Sequence, residues 1–447
     1  MILVTALMRI KESFPISRRG LLRLGGGIAA TTVLGGVAGC ANKTEAGDKP
    51  SLRMKWWGGD ARTKAYQDAL AAFSKSHTDF TVQPEFSGYD GYFDKIDSEI
   101  AGGTAPDLLQ MDTALVKQYA GQGALRPLDE YLGGALDLSG FPAALLSAGQ
   151  VDGKLYGVPS GTGGVLVTYD STVLKGAKAD PPAADWTWSD LTGYATKLTS
   201  TLGGKVYGVS DAGGDDVGAL EIFLRQRRKS LYTADGKLGY SEQDLHDWLA
   251  YWDEMRKRKA APPGDITSAA HNDSTKNPLI TGHVAMTFGS GLEISLPPLT
   301  SHDLDFVPVP RGPSGSAEGQ YLSGGVLLSA FARSDLAAQA VQIIAFFAND
   351  EQAIKIMGLT RGIPPTEKAR QIASAQLAPA QQRALAATDV IAKLVAAAKA
   401  EAPPAAPSGA GDVKELLFQS NLSVAFGRKS VSAAVKSFFA GAKSALA

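Results

Sequence analysis

Short runs of alternating character set the pattern beyond position 50. Leu52-Arg53-Met54-Lys55-Trp56-Trp57 reads as a strand stopped by Gly58-Gly59. Tyr66, Leu70 and Phe73 then fall at i, i+4 and i+7, the spacing of one helix face. Residues 80–86 alternate as a second strand, 92–101 read as helix, and 107–111 as a short buried strand. The order βαβαβ predicts an α/β lobe with a parallel-rich sheet.

A second block begins with the strand Val165-Leu166-Val167-Thr168-Tyr169. Asp185-Trp186-Thr187-Trp188-Ser189-Asp190 leads into a helix, with Ser189 as the expected cap. Leu245, Trp248, Leu249, Trp252 and Met255 form a helical stripe best explained as core. Residues 284–288 and 306–309 read as strands, and Leu336, Ala340, Ile343, Ile344 and Phe347 mark another amphipathic helix. Proline-rich stretches at 181–183, 262–264 and 402–411 read as long surface loops.

Composition narrows the class. The chain has 447 residues, 44 Lys+Arg, 45 Asp+Glu and one cysteine. A single cysteine excludes an intrachain disulfide and any multi-cysteine metal cluster. Balanced charge leaves no basic footprint for nucleic acid. The cysteine, Cys40, follows Arg9, Lys11, Arg18, Arg19 and Arg23 and then a mild apolar stretch over 24–38, the order of an export signal. Ser17-Arg18-Arg19-Gly20-Leu21-Leu22-Arg23 is similar to a twin-arginine export motif, and Val37-Ala38-Gly39-Cys40 resembles a bacterial lipobox with Cys40 as the lipidated residue. The expected division is a signal peptide over 1–39 and a lipidated tether over 40–50. Residues 1–39 carry five bases and one acid, Glu12, so the remaining 408 residues hold 39 bases and 44 acids, a net charge of −5.

Catalytic signatures do not emerge. The histidines, His77, His246, His271, His283 and His302, show no H-x-x-x-H spacing, and there is no GxSxG elbow or P-loop. Asp215-Asp216 can serve a glycosidase, but neighbouring acids in a loop are more simply read as solvated. No metal or cofactor is expected. What stands out is a set of aromatic and polar groups where the predicted strands end. They are Trp56, Trp57, Asp60 and Arg62 after the first, Tyr89 after the second, and Asp112 after the third. Ligands of open α/β sheets bind outside these strand ends. Aromatic faces suit the C–H surfaces of pyranose rings, and Asp or Arg can make directional hydrogen bonds to hydroxyls.

These landmarks continue through Gly103-Thr104-Ala105-Pro106-Asp107, Tyr156-Gly157-Val158-Pro159, Thr168-Tyr169-Asp170, Gly282-His283-Val284-Ala285-Met286 and Leu322-Ser323-Gly324-Gly325. In that order they resemble a bacterial extracellular solute-binding protein of family 1, the substrate-binding lipoproteins of carbohydrate ABC transporters. The resemblance implies a type II periplasmic-binding-protein-like α/β fold, two lobes joined by crossing hinge segments with a ligand cleft between them. Lobe one is expected over 51–160 and 312–365, and lobe two over 161–311 and 366–447. The implied function is non-enzymatic: a monomer anchored outside the cell membrane captures a sugar or oligosaccharide by lobe closure and delivers it to the permease subunits. The alternatives are a receptor for a non-sugar solute such as glycerol phosphate, or a secreted glycan-degrading enzyme.

The resemblance also implies roles. Asp60 and Arg62 match positions that hydrogen-bond sugar hydroxyls, and Trp56 or Trp57 with Tyr89 match stacking positions. Asp112 follows the third strand, and Thr162 sits in the first crossing. Ser323 and Gly324 bring backbone near the ligand, and Arg361 closes the cleft. Ser290 stands where relatives often carry a tryptophan platform, which weakens stacking from lobe two.

Overall fold

A computed structural model describes residues 49–447 apart from Asn272 and Ala447. The expected signal peptide over 1–39, Cys40 and most of the expected tether over 40–50 lie outside the described residues. Strand β1 (Ser51–Trp57), helix α1 (Asp60–Ser76), β2 (Thr81–Ser87), α2 (Tyr92–Ala101) and β3 (Leu108–Asp112) follow the predicted βαβαβ order. β1 pairs in parallel with both β2 and β3. The hairpin β4 (Gln150–Val151) and β5 (Lys154–Leu155) precedes β6 (Val158–Pro159). Next come β7 (Val165–Asp170), β8 (Met286–Ser290), β9 (Leu304–Pro308) and β10 (Val326–Ala330).

Two principal sheets result. One has the order β2-β1-β3-β10-β6, the other β8-β7-β9. β10 runs antiparallel to β3 and β6 and arrives late in the chain, so the polypeptide leaves the first lobe after β6, builds the second sheet, and returns. Helices Ala337–Asn349 and Glu351–Met357 follow, the latter packing on α1. The chain then crosses again, and helix Pro379–Ala398 packs on β9. The fold therefore has two α/β lobes joined by three crossings.

The period-two pleat sorts each strand between two cores. On β1, Leu52, Met54 and Trp56 join Tyr66, Phe73 and Ile344 on one face of the sheet. Trp57 enters the other core with Tyr92, Ile96 and Met111. In the second lobe, Val165, Val167 and Tyr169 of β7 pack with Trp188, Trp248 and Trp252, while Leu166 joins Phe306 and Ile391. Burying each large side chain supplies about 1.5–3 kcal/mol relative to exposure.

The helical stripe 245–255 is core, on helix Glu242–Lys257, which opens with a Ser241–Asp244 capping box. One local expectation fails. Thr187, not Ser189, caps helix Trp188–Thr201: its hydroxyl accepts from the Asp190 amide, and the Asp190 carboxylate accepts from the Thr187 amide at 2.9 Å. The reciprocal pair satisfies two free helix-end donors, whereas Ser189 already lies inside the first turn.

Candidate functional site

The predicted rim assembles where β1, β2 and β3 end. The Trp57 ring meets Tyr89 edge-on at 5.4 Å and Tyr92 at 5.0 Å between centroids. Tyr89 is 52% exposed, and its hydroxyl donates to Asp112 Oδ2 at 3.2 Å. Asp112 Oδ1 accepts from the Ala114 amide at 2.9 Å, which fixes the carboxylate at the strand end. Burial and the charge of Asp112 raise the Tyr89 pKa, so the phenol stays neutral. Asp60 is exposed at the start of α1. Arg62 is half-buried and donates from Nε to the Thr360 carbonyl at 3.0 Å. Tyr89 and Asp112 thus form an aromatic and carboxylate ledge backed by Trp57, which is itself buried at 7% exposure in the core with Tyr92 and Met111, and Asp60 and Arg62 lie on the adjoining helix.

Other expected ligand residues have structural tasks. Trp56 is 0% exposed, stacked between Tyr66 and Phe86, and has no face for a solute. The pleat compels this: adjacent tryptophans on one strand point to opposite faces. Arg361 is 9% exposed. Its Nε donates to the Tyr66 hydroxyl at 2.7 Å, Nη2 donates to Gln110 Oε1, and the guanidinium lies 4.5 Å from the Tyr66 ring centroid. Arg361 therefore ties the third crossing to the first lobe, which corrects its expected part in closing over ligand.

Thr162 and Gly324 are likewise buried. The Thr162 amide donates to the Ile363 carbonyl at 2.7 Å and its hydroxyl to the Ser323 carbonyl at 3.2 Å. Ser323 pairs with Gly163 through both backbone and side chain. A Cβ on Gly324 would lie 2.8 Å from that of Ala148. These contacts bind the segments 160–163, 323–326 and 361–363 into the hinge. At Gly161 a Cβ would stand 1.9 Å from the Arg361 carbonyl oxygen, so only glycine permits that approach.

Ser290 is exposed at the end of β8, opposite Val165. It lines a second-lobe cavity of about 480 Å³ with Ser210, Asp211, Asp215, Asp216 and Lys414. Within this cavity, the Asp216 side chain caps helix Val217–Arg225 by accepting from the Ala219 amide at 2.8 Å. Burial, with a smaller contribution from the charge of Asp215, pushes the Asp216 carboxyl up to about 6. Asp215 lies 2.9 Å from His271 Nδ1, and His271 Nε2 lies 3.1 Å from Glu415. Asp211 accepts from Arg256 at 2.5 Å and from Asn421 at 3.0 Å. In sequence Asp215-Asp216 resembles an ordinary solvated loop, which hides this wall. The usable signal was a carboxylate directly before a helix, the N-cap position.

The arrangement offers aromatic faces and hydrogen-bond acceptors on one lobe, a polar cavity on the other, and a three-segment hinge between them. That is the construction of a protein that binds a solute between lobes. The chain belongs to the bacterial extracellular solute-binding proteins, whose family pattern it matches over residues 68–387. It is similar to an extracellular solute-binding protein family 1 structure from Alicyclobacillus acidocaldarius subsp. acidocaldarius DSM 446, with 25% identity and a TM-score of 0.80, covering 90% of this chain and 100% of that one. A periplasmic oligogalacturonide-binding protein from Yersinia enterocolitica, solved with saturated digalacturonic acid, shares 22% identity at a TM-score of 0.68, over 89% of this chain and 99% of that one. An ABC substrate-binding protein from Listeria monocytogenes, solved with cycloalternan, shares 21% identity at a TM-score of 0.66, again over 89% and 99%. These last two likenesses concern the fold.

Proposed function

We propose that this chain is a non-enzymatic sugar or oligosaccharide receptor that delivers its ligand to an ABC import permease. The ledge of Tyr89 and Asp112 carries the reading: an exposed phenol, held from behind by the buried Trp57 indole, and a fixed carboxylate suit a pyranose ring and its hydroxyls. The oligosaccharide complexes of the two structural relatives support the same class. In this reading, lobe one comprises 51–160 and 312–365 and lobe two 161–311 and 366–447. Ligand bridges them and stabilises the closed form through its higher affinity for that form. Cys40 carries the lipid that keeps the monomeric receptor at the outer face of the membrane, and residues 1–39 are removed on export.

Isothermal titration against neutral, amino and acidic mono- to tetrasaccharides tests the proposal. Saturable heat with at least one sugar is expected. Absence of heat across the series, with the protein folded, would refute it.

A further inference from the structure

We infer that the lobes turn about one axis, set by a joint in each crossing: Gly362 in the third, Thr162-Gly163 in the first and Ser323 in the second. The inference rests on the two-lobe receptor reading and locates the motion that closure requires.

In the third crossing the change of lobe is compressed into one residue. Arg361 is fastened to lobe one, where its guanidinium donates to Tyr66 of α1 and Gln110 of β3, and Arg62 of α1 holds the preceding Thr360 carbonyl. Ile363 is fastened to lobe two: its side chain is 0% exposed in the core of Leu166, Phe306 and Ile391. Beyond it, Arg370 Nη1 donates to the carbonyls of Pro364 at 2.9 Å and Pro365 at 3.0 Å. Its Nε donates at 2.6 Å to Asp389, on the helix Pro379–Ala398 that packs on β9. Two buried arginines therefore bolt this crossing to opposite lobes. Between them Gly362 sits at φ +99°, which a residue with a Cβ adopts only under strain, and the prolines that follow fix their own φ. Gly362 is left as the residue able to turn.

The other crossings change lobe beside it. The Ser160 amide donates to the Val326 carbonyl of lobe one at 3.0 Å, whereas a Cβ on Gly164 would lie 2.9 Å from Ile391 of lobe two. Leu322 is buried in the second-lobe core, whereas Gly324 packs on Ala148 of lobe one. The joints are stitched side by side. Thr162 and Ile363 exchange backbone hydrogen bonds at 2.7 and 2.9 Å, and Gly163 and Ser323 at 3.3 and 2.8 Å. A few residues that absorb the φ/ψ change make a hinge, and these, bonded along one line, share an axis.

Interlobe distances from double electron–electron resonance test this without a ligand, so failure of the inference leaves the receptor reading standing. Spin labels go on Lys117→Cys in lobe one and Lys197→Cys in lobe two, both exposed, in the mature chain carrying Cys40→Ser, which removes the only native thiol. Circular dichroism checks folding. Gly362→Ala places a Cβ 3.0 Å from the Thr162 carbonyl oxygen as well as at positive φ, and should shift the mean distance by more than about 2 Å. Gly358→Ala imposes the same kind of strain, at φ +49°, on the lobe-one side of Arg361. It should lower Tm and leave the distance unchanged. Arg370→Gln, which loosens the lobe-two bolt, should broaden the distance distribution, and it carries the test if Gly362→Ala does not fold. A folded Gly362→Ala at the parent distance, an equal shift in Gly358→Ala, or a parent width in Arg370→Gln would overturn the inference.

Discussion

Replacing Asp216 by asparagine removes a charge that the fold holds at a cost, and the cost depends on pH. The carboxyl ionises near 3.8 when unperturbed and at about 6 in the folded protein, chiefly through burial and then through the neighbouring charge of Asp215. Raising the carboxyl from 3.8 to about 6 corresponds to ~3 kcal/mol as an upper bound. Partial exposure of the side chain reduces the effective cost to about 1–2 kcal/mol. The sign follows from proton counts. Between pH 3.8 and about 6 the folded state retains a proton that the unfolded state has released. Folding stability from this group is therefore fully present below the unfolded pKa and is lost as pH rises through the folded pKa. Asp216→Asn carries no such loss. Its advantage over wild type should be near zero at pH 4 and grow to about 1–2 kcal/mol at pH 7.5, roughly 2 °C in Tm for a chain of this size. Thermal unfolding of both proteins across pH 4–8 measures the difference. A flat difference, or one that shrinks as pH rises, would refute the reasoning.

Tyr89→Ala removes the exposed phenol of the ledge, so it should weaken sugar binding at least tenfold, about 1.4 kcal/mol, with little change in Tm, as measured by titration and thermal unfolding. Gly161→Ala forces a Cβ against the Arg361 carbonyl and should lower stability by about 3 kcal/mol or more by prising the crossings apart, seen as a large fall in Tm. Arg361→Met should cost about 3 kcal/mol by abandoning Tyr66 and Gln110, and Arg361→Lys should restore only part of it, because an ammonium lacks the planar fork and the ring stacking.

Much of the architecture was legible in the sequence because burial imposes its period on the chain. The strand at Trp56-Trp57, the helix at Tyr66-Leu70-Phe73 and the stripe at Trp248-Trp252 all announce themselves through spacing. The site was legible only where exposed aromatics and carboxylates follow a strand, as at Tyr89 and Asp112. Trp56 and Arg361 carry suitable chemistry, but three-dimensional packing turns both inward, and residue type alone does not register that. Lys55 makes the same point: a lysine in an alternating strand lies buried, paired with Glu99 at 2.5 Å and Glu85 at 3.5 Å from helix and strand neighbours distant in sequence. The Asp216 wall was missed for the opposite reason. Its acids look solvated until helix Val217–Arg225 and the loop bearing His271 fold around them.

Small-angle X-ray scattering of the mature chain, with and without a saturating sugar identified by titration, tests the central claim most directly. A receptor that captures its solute between lobes should contract on binding, with a smaller radius of gyration and a shortened maximum dimension. Saturation by the sugar with an unchanged scattering profile would contradict capture by closure.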